Sequence, residues 1–201
     1  MFKLLWKRRR LLIIWGVVLG VVFAGLSLFF PRQYSADSQV LILSRDRLGV
    51  DPYTQAKSAE RLGENLAQVM KTSDFFNKVM NTKSYLFDKS QWTDLSERNK
   101  RKKWTKDVVA SMVYGTGLMN IRAYSYNPEE AKNLSNAVTQ IAAAQGWEYL
   151  GNDVAIKVVS SPLSSRFPAR PNVIVNILAG LILGMLIGSY WIIKYSKHLF
   201  S

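Results

Sequence analysis

Residues 11–30 read LLIIWGVVLGVVFAGLSLFF, and residues 173–193 read VIVNILAGLILGMLIGSYWII. Each is an uncharged, mostly apolar run of the length that crosses the hydrocarbon core of a bilayer as a helix. Lys3, Lys7, Arg8, Arg9 and Arg10 precede the first run, and Pro31-Arg32 ends it. A cleaved leader would have a shorter apolar core followed by a small-x-small site. Here the far end is Leu26-Ser27-Leu28-Phe29-Phe30-Pro31, which is bulky, so the first run is expected to remain as a span. The second run is too long and too free of charge for the core helix of a soluble domain this size. Its only markedly polar members are Asn176 and Ser189.

The positive-inside rule sets the orientation. The first ten residues hold five cations and no acid, and Lys194 and Lys197 follow the second run. Both ends are therefore expected in the cytoplasm, with the intervening chain on the far side of the membrane. The chain has 201 residues and a formal net charge of +13, and residues 31–172 hold all 14 acids. A loop of that length is translocated largely regardless of its charge. The expected organisation is a cytoplasmic tail at 1–10, transmembrane helices at 11–30 and 173–193, and a short tail at 194–201. Between the helices lies an α+β extracytoplasmic domain at 31–172, ending in a proline-rich exit linker at 161–172. Trp6, Trp15, Tyr190 and Trp191 sit near the span ends, where amphipathic rings favour the headgroup region.

Small residues recur at four-residue steps in both runs: Gly16, Gly20 and Ala24 in the first, Gly180, Gly184 and Gly188 in the second. Asn176 falls on nearly the same stripe as Gly180. Small residues on one helix face allow close backbone approach, and an amide in hydrocarbon needs a partner. These seven positions are expected to pack helix against helix, within or between subunits.

In the intervening domain, Gln33–Ser44 reads as a strand around Val40-Leu41-Ile42-Leu43. Helical spacing of Ala59, Leu62, Leu66 and Val69 predicts a helix over 52–71, and Thr72-Ser73-Asp74 caps a short one over 75–80. Residues 84–94 read as loop. A helix is expected from the basic run to about Met112, then extended segments at 113–117 and 118–126 around Gly115-Thr116-Gly117, which reads as a hairpin or bulged turn. Asn127 is a cap, Pro128 suits the first helical position, and Glu129 and Glu130 complement the helix dipole. Ala131, Leu134, Val138, Ile141 and Gln145 then share a face, with Gly151 as the stop. Val154–Ser160 alternates as a last strand, and Pro162, Pro168 and Pro171 make the exit linker semi-rigid. A sheet joining the first and last strands would bring the two spans together.

This order resembles the chain-length-determinant, or polysaccharide co-polymerase, family of the Wzz type. The resemblance rests on Tyr34-Ser35-Ala36-Asp37-Ser38-Gln39-Val40-Leu41-Ile42 after the first span, and on Leu118 to Asn127-Pro128-Glu129-Glu130-Ala131. It extends to Asn133-Leu134-Ser135-Asn136-Ala137 and to Pro162, Pro168 and Pro171-Asn172 before a glycine-stepped span. The short domain is most like the Gram-positive capsule regulators. The resemblance implies a membrane scaffold that forms homo-oligomers and sets the chain length or export of a surface polysaccharide. Its implied partners are a polysaccharide polymerase, a lipid-linked glycan or a separate tyrosine kinase. Under the alternative reading the chain is a signalling adaptor for that kinase. Only Lys194–Ser201 follows the second run, whereas the kinase-linked relatives carry a longer tail. No Gly-x4-Gly-Lys-Ser/Thr loop is present, so no fused kinase domain is expected.

The chain has no cysteine and a single histidine, His198. Disulfides, thiolate metal sites and cysteine nucleophiles are excluded, and a His-based triad is not expected. Glu129-Glu130 reads as helix capping, and Glu60 with Glu64 as a solvated edge. No enzyme activity, catalytic residue, cofactor or metal site is expected. One surface feature has chemical promise: Arg98, Lys100, Arg101, Lys102, Lys103 and Lys106, interrupted by Trp104. Such a run can attract anionic glycan, undecaprenyl-linked phosphate or lipid headgroups, and the Trp104 ring is able to stack on a sugar. The competing reading is a solvated helix face balanced by Glu97 and Asp107. Nucleic acid is not an expected partner, because the run lies outside the cell.

Overall fold

The computed structural model describes residues 6, 8–44, 51–151 and 153–195. The expected tails fall largely outside them: Lys3, Lys7, Lys197 and His198 are not among the described residues. The chain divides into two compact units, one formed by its two ends and one by residues 33–168.

The first unit is a pair of helices, α1 (Arg9–Leu28) and α8 (Val173–Tyr195). Both are long and apolar enough to cross a membrane. Most of their large apolar side chains point away from the pair, among them Ile13, Ile14, Val17, Ile182 and Leu186. The buried positions are instead Gly16, Gly20 and Ser27 on α1 and Gly180, Gly184, Gly188 and Ile192 on α8. The two glycine ladders meet each other. A methyl group on Gly184 would lie 2.4 Å from the Trp15 carbonyl oxygen and 2.7 Å from Gly16 Cα. One on Gly180 would lie 2.7 Å from the Leu19 carbonyl oxygen and 3.0 Å from Gly20 Cα. Gly188 faces the side chain of Trp15, whose ring meets Trp191 edge-on at 5.8 Å. Asn176 Nδ2 donates to Ser27 Oγ at 2.7 Å, and Ser27 Oγ donates to the Phe23 carbonyl. Ala24 is partly buried. The two stripes therefore meet within one chain, one of the two arrangements expected for them.

The second unit holds β1 (Tyr34–Ser44), α2 (Pro52–Val69), α3 (Ser73–Asn81), α4 (Ser90–Thr93) and α5 (Glu97–Asp107). It continues with β2 (Val108–Met112), β3 (Leu118–Ser125), α6 (Pro128–Gln145), α7 (Trp147–Leu150) and β4 (Val154–Ser164). The four strands form one antiparallel sheet in the order β2-β3-β1-β4. The first and last strands are hydrogen-bonded neighbours, as the sequence led one to expect. Alternation along β1 buries Ser38, Val40 and Ile42 and turns Asp37, Gln39 and Leu43 to the other face. Beneath the buried face lies α6, capped by Asn127 Oδ1 accepting from Glu129 N at 3.0 Å, with Pro128 in its first turn. Its Leu134, Ala137, Val138 and Ala142 join Val40, Ile42, Met119, Ile121 and Ala123 in the core. Each fully buried Leu or Ile there contributes about 1.5–3 kcal/mol of transfer free energy. Where α6 crosses β1, three buried hydroxyls replace apolar contact. Ser38 Oγ lies 2.6 Å from Thr139 Oγ1 and 3.2 Å from Ser135 Oγ, so the small polar groups satisfy one another.

Several elements differ from the expectation, and the segment 84–94, expected as loop, contains the short helix α4. The basic helix ends at Asp107 rather than near Met112, because Val108 and Val109 begin β2, which pairs with Met119–Ala123. The hairpin turn expected at Gly115-Thr116-Gly117 is present, but the strand before it is Val108–Met112 rather than 113–117, and Gly115 takes φ +72°, which an L side chain rarely adopts. The exit linker is shorter than expected, because β4 runs through Pro162 to Ser164. That strand is a sheet edge, and the register against β1 shifts twice between Asp37 and Val40. A proline without an N–H is tolerated on such an irregular edge. Pro168 and Pro171 remain outside the strand.

Candidate functional site

The basic run forms α5, and its helical spacing divides it into two sides. Trp104 is 1% exposed, and its Nε1 donates to the Met70 carbonyl at 2.7 Å. It packs edge-on against Phe76 (5.2 Å between centroids) and Trp92 (6.2 Å). Sugar stacking on Trp104 is thereby corrected: the ring is a core residue, because α5 must bury one face against α3 and α4 to hold its place. Lys100 and Lys103 lie one turn and one residue before Trp104, on the same side. Lys103 Nζ pairs with Asp107 at 2.8 Å, and Asp107 is 3% exposed. The same ammonium stands over the rings of Trp92 (5.5 Å) and Tyr126 (5.7 Å). Lys100 pairs with Glu97 at 3.0 Å.

The outer side is different. Arg98, Arg101, Lys102 and Thr105, with Glu97, line an open concavity. Arg101 Nη2 also donates to Ser73 Oγ at 3.1 Å, which fixes its fork on α3. Lys106 is exposed on the same helix. Two guanidinium groups and an ammonium in one shallow hollow suit an oxyanion such as phosphate, sulfate or carboxylate, which arginine binds in bidentate fashion. The structure thus brings together three of the six cations as a surface and spends two on holding the helix. The partition was legible in the spacing around Trp104: positions four before, one before and three after it turn inward. Tyr126, with Lys103 above its ring, is the exposed aromatic next to this helix that the sequence reading did not single out.

This division predicts unequal substitutions. Lys103→Gln removes the ammonium paired with the buried Asp107 carboxylate and is expected to destabilise the domain by about 1–3 kcal/mol. Lys102→Gln, in solvent, is expected to change stability by less than about 0.5 kcal/mol. Urea unfolding of the detergent-solubilised chain distinguishes them, and equal midpoints would contradict the assigned ion pair.

The other ionic contacts are structural. Lys78 joins α3 to α7 through Glu148 (2.5 Å) and stands over the Tyr149 ring, whose hydroxyl donates to Asp74. The bond to Glu148 raises the Lys78 ammonium above the ordinary lysine range, and burial together with Asp74 raises the Tyr149 phenol. Arg122 pairs across the strands with Asp37, which raises the guanidinium further. Among the described residues no group of three or more His, Cys, Asp or Glu is placed to hold a metal ion. No protein-family model matches this chain, and no curated protein is similar to it in sequence.

Proposed function

We propose that this chain is a two-pass scaffold of the bacterial cytoplasmic membrane, with both termini cytoplasmic, that regulates the chain length or export of a surface polysaccharide. It works without catalysing a reaction itself, by assembling copies beside a polymerase and offering the growing, lipid-linked chain a surface. The observation that carries this reading is the hydrogen-bonded adjacency of β1 and β4. These strands flank the two apolar helices in sequence, and a domain tied at both of its ends through neighbouring strands is suited to stand on a membrane. The helix-capping Asn127-Pro128 after β3 and the prolines Pro168 and Pro171 before α8 supply the remaining likeness to the Wzz type. In the assembled scaffold Arg98, Arg101 and Lys102 are the groups that meet an anionic glycan or a lipid-linked phosphate.

Deletion of the gene in its host tests the reading. The expected result is a shifted modal length or a several-fold loss of one surface polysaccharide, read on a sizing gel and restored by the intact gene. Restoration by a variant carrying Gln at Arg98, Arg101 and Lys102 is expected to be incomplete. Unchanged length and yield of every surface glycan would end the proposal. An unchanged length distribution with altered tyrosine phosphorylation in the cytoplasm would favour the kinase adaptor instead.

A further inference from the structure

We infer that copies of this chain join edge to edge, β4 of one against β2 of the next, so that their sheets continue as one. This deepens the scaffold reading and rests on it for the common orientation of the copies.

Both outer strands of the sheet pair on one side only among the described residues. Every neighbouring pair is antiparallel, and three such pairings separate β2 from β4, so these strands run in opposite directions. Copies embedded in one membrane share an orientation. Set side by side, they bring β4 of one antiparallel to β2 of the next, the more stable arrangement.

The two edges also match in length and face. Val154–Val158 lies opposite Val40–Ser44 without a register shift, a run of five residues, and β2 is five residues long. Val108, Ala110 and Met112 lie opposite Ala123, Ile121 and Met119, on the helix-covered face. Val154, Ile156 and Val158 lie opposite Ser44, Ile42 and Val40, on the same face. A register with Met112 opposite Val154 and Val108 opposite Val158 keeps both apolar rows on one side. Ser111 then faces Ala155, and Val109 faces Lys157. A slip by one residue would invert every side chain.

Strands that must remain solitary are blunted by lysine, proline or bulges. In β4 the bulges and Pro162 fall beyond Val158, outside the matching run. In β2, Val-Val-Ala-Ser-Met, there is no such device, and Val109 and Val158 are each 38% exposed. Lys157 is the one charge on the two runs, and it stands on the uncovered face. Because the contact joins two different edges, it repeats from copy to copy and can close into a ring.

The chain has no cysteine, which makes the test direct. Ser111→Cys and Ala155→Cys are introduced together in the full-length protein, in its own membranes, and oxidised. Residues directly opposed in a sheet have Cβ atoms about 4.5–5.5 Å apart, within reach of a disulfide or a short bis-maleimide. Within one copy the two edges are three strand spacings apart, about 14 Å, so an internal link is excluded. The expected result is a ladder of dimer, trimer and higher species on a non-reducing gel, taking up most of the protein, with monomer only for each single variant. Co-expressing the two single variants with different tags should give mixed dimers alone. A monomer from the double variant with both reagents would overturn the inference, as would dimers from either single variant. A ladder with no effect of gene deletion on any glycan would sink the proposed function and keep the assembly. Altered glycan length without a ladder would do the reverse.

Discussion

Gly184→Leu is expected to separate α1 from α8. The first carbon of the new side chain would fall 2.4 Å from the Trp15 carbonyl oxygen and 2.7 Å from Gly16 Cα. Both are main-chain atoms of a regular helix, so no rotamer relieves the clash and the helices must move apart. Loss of the close approach also parts the Gly180–Leu19 contact one turn away and the Asn176–Ser27 hydrogen bond beyond it. Overpacking of a well-packed contact costs about 1–3 kcal/mol, and more where backbone has to move. Gly25→Leu is the matched control: it adds the same volume to α1 at a place where nothing lies within 4 Å. Titration of SDS into detergent-solubilised protein should dissociate the Gly184 variant at a lower SDS fraction, with the Gly25 variant close to wild type. Equal midpoints for the two would contradict the glycine-to-glycine contact.

Trp104→Ala is expected to remove a large part of the domain's stability, about 3–5 kcal/mol. The ring joins α5 to α3 and α4 through Phe76 and Trp92, and Nε1 holds the carbonyl of Met70 at the end of α2. Truncation of a buried tryptophan costs about 3–5 kcal/mol, against total stabilities of about 5–15 kcal/mol for a domain. Trp104→Phe retains much of the packing and removes the bond to Met70, so an intermediate loss of about 1–2 kcal/mol over packing changes is expected. Circular dichroism during urea unfolding reads both. The triple glutamine variant of Arg98, Arg101 and Lys102, on the other side of the same helix, should unfold like wild type. A Trp104→Ala protein as stable as that triple variant would refute the burial of the ring.

These two positions mark the limits of what the chain discloses unfolded. Gly184 is recognisable in the sequence as part of a stripe, because small side chains at four-residue steps line one face of a helix. Whether the stripe meets its counterpart in the same chain or in another was open. Trp104 was visible as an aromatic ring amid cations, a pattern that reads equally as a binding surface and as an amphipathic helix. Its inward turn depends on Phe76 and Trp92, which stand twenty-eight and twelve residues away and reach it only through the fold. The strand β2 escaped notice for a similar reason. Val108-Val109-Ala110-Ser111-Met112 is too short and too little alternating to announce itself, and it becomes a strand by pairing with β3.

Local chemistry alone settled the two apolar helices, the Asn127-Pro128 start of α6, the first and last strands and the absence of thiol chemistry. In each case the deciding forces act between near neighbours in the chain: hydrocarbon length, capping and side-chain alternation. The pairing of the glycine ladders within one chain, the division of α5 into a buried and a charged side, and the passage of β4 through Pro162 were decided by tertiary structure. They depend on which distant backbone or ring comes to lie opposite, and close packing fixes that only when the whole domain is assembled.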